Sequence, residues 1–151
     1  MPYVDEGDQP KKAGLPTWVP FVAGAVAAGV GVYLWGMLFT AMNNTWLAPL
    51  LGGVLVGGAI RLTRRAAIPR VGLFAVILAV AAGVGGFAYR HMFVYTWTNP
   101  QTGAVIQPDF SNAMQYLFND MFSVLLIAFG AYLAYLIAAS SIPAATTVAE
   151  V

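Results

Sequence analysis

The sequence predicts an all-α membrane protein: four transmembrane helices in an up-down bundle, with a small external β-hairpin and an amphipathic segment. Three observations carry this. Of 151 residues, 60% are hydrophobic and 9% are charged, whereas soluble domains carry about 25% charged residues. The mean hydropathy is +0.75, more apolar surface than a soluble fold of single-domain length can hide, so lipid is the expected solvent. The apolar residues also fall into blocks close to the ~20 residues that cross a bilayer, and four arginines sit between two of those blocks.

The spans are expected at 17–42, 46–62, 71–94 and 121–139, within one integral membrane domain covering 1–151. Trp18, Trp46 and Trp97 lie near span ends, where amphipathic rings favour the headgroup region. Pro16, Pro20, Pro49 and Pro69 suit first turns, where the missing N–H costs nothing, and Pro143 suits a stop after the last span. The tail 1–16 mixes acids and bases without a short apolar core before a small-residue cleavage site, so it reads as a solvated tail and not a signal peptide. Residues 140–151 form a second short tail.

Charge sets the expected orientation. Lys11, Lys12, Arg61, Arg64, Arg65 and Arg70 fall on one side of a four-span arrangement, and only Arg90 falls towards the other. The positive-inside rule then places both termini and the 61–70 turn in the cytoplasm of a multi-pass protein of the cell inner membrane or plasma membrane. The arginines serve as orientation anchors and could also meet anionic headgroups. The external turn near 43–45 is very short, which makes the first two spans an antiparallel hairpin.

Small residues supply close packing. Gly53 and Gly57 form a Gly-xxx-Gly pair, with Gly24/Ala28, Ala25/Gly29 and Ala81/Gly85 in similar spacing. Because lipid provides no hydrophobic drive between helices, such faces let backbones approach and gain dispersion contacts. They suit packing within one bundle or a seam between subunits. The fourth span has one glycine, Gly130, among bulky Phe122, Phe129, Tyr132 and Tyr135, and is expected to face lipid or a partner. AVAAGVG occurs twice, at 25–31 and 79–85, which fits either an internal repeat or convergence on the common letters of packed membrane helices.

The external segment 95–120 holds turn residues Asn99, Pro100 and Gly103 between two short alternating runs, the pattern of a β-hairpin. Asp109 after Pro108 suits a helix N-cap. Phe110, Met114, Leu117, Phe118 and Met121 then recur at helical spacing, as an amphipathic helix on the surface or as an extension of the fourth span. Arg90, against the charge trend, is expected to snorkel to lipid phosphate or to pair with Asp120.

Catalytic chemistry is sparse. There is no cysteine, so thiolate sites and disulfides are excluded. His91 is the single histidine, too few for a multi-histidine metal site even with Asp109 nearby. No phosphate-binding loop or dinucleotide fingerprint is present. A net charge of +1 gives no case for nucleic acid. No span carries an acidic residue of the kind proton-coupled transporters use.

The run YLWGMLFT…WLAPLLGGVLVGGAIRLTRR, with Trp35, Gly53, Gly57, Ile60 and Arg61 at its landmarks, resembles a hairpin of uncharacterised small bacterial four-span integral membrane proteins. The resemblance covers about residues 30–90 and implies the four-span fold, with no activity to carry over. The expected function is a non-catalytic structural or accessory subunit of a larger membrane complex, needing no cofactor. Its partners would be membrane lipids and other membrane subunits or copies of itself. A small oligomeric transporter or channel is the alternative, and a redox- or pigment-associated subunit using His91 or the Tyr and Trp clusters is a third reading.

Overall fold

The computed structural model describes residues 16–42, 47–64, 68, 70–94, 97–106 and 108–140. The expectations placed on Lys11, Lys12, the 43–45 turn, Trp46, Arg65, Pro69 and Pro143 lie outside these residues, as does the side chain of Trp97.

The architecture is all-helical: α1 Val19–Met42, α2 Leu47–Thr63, α3 Val71–Tyr89, α4 Phe110–Asn119 and α5 Met121–Ala139. A single π-helical turn, Arg90–Val94, extends α3. Among the described residues three helices are long and apolar enough to cross a membrane: Val19–Met37, Val71–Phe93 and Met121–Ala139. The second apolar helix, α2, has 17 residues, so at 1.5 Å per residue it reaches about 25 Å, short of a ~30 Å hydrocarbon core. Between the π turn and α4, Trp97 pairs with Ile106 and Thr98 with Val105 in antiparallel register. This pairing of two residues a side closes a turn but builds no sheet layer.

Glycine contacts set the helix order. A Cβ added at Gly53 would collide with the backbone carbonyl of Gly130, and one at Gly57 would lie 2.9 Å from the carbonyl oxygen of Ala134. Both pairs step by four residues in the same direction, so α2 and α5 run parallel with their backbones touching. α1 and α3 also run parallel but meet through side chains: Gly31 faces Ala82, Trp35 lies over Gly86, and Tyr89 lies over Gly36. Packing runs α1–α2–α5–α3 around a ring, with α2 and α3 meeting across the middle. Among the described residues α1 and α5 do not touch.

The fourth expected span presents an outward face, as read, and a buried face besides. Its Gly130, Ala131, Ala134 and Ala138 are buried against α2 and α3, while Phe122, Phe129, Tyr132 and Tyr135 point outward. Bulky residues marked the exposed face correctly, while the small residues between them make the closest backbone approach among the described glycines.

The core divides along the bundle axis. One half is built from small side chains, Ala75, Ala79, Ala82 and Ala134, around the fully buried Val56 and Ile60. The other half holds Trp35, Phe87, Leu117 and Ile127. The first half ends at Arg64 and Arg70, and the second is capped by α4.

Candidate functional site

Two ends of the bundle gather the polar and aromatic residues. At the arginine end, α2 closes on itself: Thr63 donates its hydroxyl to the Ala59 carbonyl at 2.7 Å, and the Arg64 N–H reaches Ile60 O at 3.0 Å. The Arg64 side chain then turns inward and is only 9% exposed. Its Nη2 donates to the carbonyl of Ser140 at 2.7 Å, the residue that ends α5. A cation at a helix C-terminus meets the negative end of the peptide dipoles and an orphan carbonyl together. Ser140 completes the cap by donating its hydroxyl to Ile137 O at 2.7 Å. The Arg64 Nε is buried and has no acceptor among the described residues.

Arg70 stands at the start of α3 with φ 59°, in the left-handed region that non-glycine residues rarely adopt, and its side chain makes no cap bond. Arg64, Ile68, Arg70, Gly72, Leu73 and Tyr135 help to line a cleft of about 300 Å³ between the ends of α2 and α5 and the first turn of α3. The Tyr135 ring packs against position 72, where a Cβ would sit 2.7 Å from it and push the ring aside. Arg61, by contrast, is exposed on the last turn of α2. Of the small-residue pair, Gly53 and Gly57 are spent on the α5 contact rather than on a site.

At the aromatic end the joint is a chain of rings. Trp35 of α1 meets Phe87 of α3 edge-on with centroids 6.5 Å apart, and Phe87 meets His91 at 4.3 Å and 87°. His91 in turn lies 5.5 Å from Tyr116 of α4. The π turn that carries Arg90 and His91 thus orients the imidazole between two aromatic faces. Ala113 and Leu117 of α4 are buried beneath it. The indole N–H of Trp35 has no acceptor among the described residues.

Asp109 and Asp120 both cap helices. Asp109 Oδ1 accepts from the Asn112 N–H at 2.8 Å and starts α4. Asp120 ends α4 and starts α5; its oxygens accept from the Ser123 N–H at 3.3 Å and the Ser123 hydroxyl at 2.6 Å. The contacts described for Asp120 thus go to Ser123 of its own helix start. The spacing Asp120-x-x-Ser123 was visible in the sequence as a cap signal. The roles of Gly130 and Ser140 were not, because each depends on which helices become neighbours.

A third feature lies on the bundle flank. Val26, Ala27, Val30, Val54, Gly58 and Leu62 contribute to an apolar groove of about 570 Å³ between α1 and α2. Among the described residues no three His, Asp or Glu side chains come together as a metal site. Fold and site define a helical protein whose apolar helices include three of membrane-crossing length. No protein-family model, curated protein or solved structure matches the chain.

Proposed function

We propose that the protein is a non-catalytic accessory subunit of a larger membrane assembly, with α2 crossing the bilayer as a fourth span. A 17-residue helix can do so where the bilayer thins locally or where flanking residues reach the interface. Both termini and the arginine end would then be cytoplasmic. The observation that carries the reading is α4. It is clamped on the aromatic end through Ala113, Leu117 and Tyr116, yet Phe110 and Phe118 remain exposed. They are joined by exposed Met121 and Phe122 at the start of α5. A helix seated on the core with exposed aromatics suits a partner subunit, and aromatic anchors dominate contact energies. In this reading the paired 97–106 turn is the expected hairpin, completed against that partner, since a lone hairpin is marginal in water.

The test is purification from the native membrane in mild detergent. The protein should run as a complex of fixed stoichiometry. Deleting 98–103, or changing Phe110 and Phe118 to Ala, should release it from that complex while the bundle stays folded. A monodisperse single chain from the native membrane, or assembly unaltered by both changes, would overturn the reading.

A further inference from the structure

We propose that the cleft at the arginine end is an anion site that takes a phosphate group. The first observation is Arg64. A buried guanidinium is costly unless its charge and its five donors are met. Here one donor goes to Ser140 O, and Nε, fully inside, finds no acceptor among the described residues. Arg64 lines the cleft, so an anion placed there would offset its buried charge and meet the guanidinium N–H groups not given to Ser140, while the Nε stays closed off inside.

The opposite wall supplies two further donors of the same sign. Arg70 lines the cleft from the residue just before α3. Gly72 and Leu73 line it too, in the first turn of that helix, where backbone N–H groups have no intrahelical acceptor and the peptide dipoles favour an anion. No acidic residue lines the cleft among the described residues. Its volume of about 300 Å³ is at the lower end for small-molecule pockets, about 300–1,000 Å³.

A phosphate fits this arrangement better than a carboxylate. It carries more charge and offers several oxygens at wide angles, so two guanidiniums and a helix terminus can share it. The source is either the headgroup of an anionic lipid, since the cleft opens at one end of apolar helices, or a free phosphate. Arg61, exposed on the same helix as Arg64's approach, belongs to neither wall.

The full chain is reconstituted in phosphatidylcholine nanodiscs, and its thermal midpoint is read in two arms. One arm adds phosphatidic acid to the disc. The other titrates inorganic phosphate against chloride at matched ionic strength. A saturable rise is expected in at least one arm. A rise with phosphatidic acid alone identifies a lipid headgroup, one with inorganic phosphate alone identifies free phosphate, and a rise in both identifies a site open to either. Arg70→Gln, which removes no helix cap, should weaken the response about fivefold. Arg61→Gln should leave it unchanged. Arg64→Lys keeps a charge but loses the planar fork, and should weaken the response without abolishing the fold. The proposal is overturned by no rise in either arm, or by an equal rise in Arg70→Gln and the unaltered protein.

Discussion

At the arginine end, helices are joined by charge reaching for carbonyl: Arg64 of the α2 terminus holds Ser140 of the α5 terminus through one hydrogen bond. At the aromatic end they are joined by ring on ring, from Trp35 through Phe87 and His91 to Tyr116. The first kind of joint leaves donors over and an open cleft beside them. The second excludes space, because edge-on rings and the buried faces of Ala113 and Leu117 fill the gap under α4. The contrast assigns different work to the two ends. A polar joint with spare donors can accept a ligand, while a packed joint can hold a helix still for a partner.

Both ends rest on the α2–α5 seam, so the largest effect is expected there. Gly53→Ala sets a methyl group against the Gly130 carbonyl, and backbone cannot rotate aside as a side chain can. Overpacking costs about 1–3 kcal/mol and occasionally more. Because the obstacle is backbone, the cost falls at the upper end of that range, and with about 1 kcal/mol returned by the better helix propensity of alanine a net loss of about 2 kcal/mol or more in a detergent melt is expected. Gly58→Ala is the control, since nothing lies within 4 Å of the added atom. Equal melts for the two variants would remove the seam from the comparison.

Next comes the arginine end itself. Arg64→Ala removes a charged hydrogen bond to the α5 terminus, worth about 1.5–3 kcal/mol. Relief of the buried charge offsets part of this, so a loss of about 1.5 kcal/mol is expected, with Arg61→Ala silent. If both substitutions melt alike, the arginines act only as surface charge and the polar joint does not exist.

These two cases also show what could be read from residue order. The expected spans at 71–94 and 121–139 coincide with α3 plus its π turn and with α5, because apolar runs, terminal prolines and caps are local signals. Asp109 as an N-cap was legible for the same reason. The use of Gly53 against Gly130, and of Arg64 against Ser140, was not. Each joins residues more than 70 positions apart, and periodicity reports which face is small without reporting what it meets. The contact at Gly130 went unread because its bulky neighbours dominated the reading of α5.

At the aromatic end, Asp120 distinguishes capping from ion pairing. Its oxygens serve Ser123, so Asp120→Ala should cost about 1 kcal/mol, the usual value of a lost cap, while Asp120→Asn should cost almost nothing because asparagine caps as well. Thermal melts of both variants decide it. A loss with Asn as large as with Ala would mean that the negative charge matters, and Arg90 would return as its partner.

The smallest effect on stability, and the sharpest test of the contrast, is at Phe118. It is 75% exposed, while Leu117 beside it is buried in the core. Leu117→Ala should destabilise by about 2 kcal/mol, the low end for large-to-small core changes, because α4 only covers one end of the core. Phe118→Ala should stay within about 0.5 kcal/mol, as surface substitutions do. If α4 is a held platform for a partner, Phe118→Ala should nevertheless deplete the complex recovered from native membranes. The divergence between melt and assembly is the informative quantity. A Phe118→Ala protein that melts normally and assembles normally would reduce α4 to a lid over the Trp35–Phe87 core. The bundle would then keep one end suited to a ligand and one end that merely closes.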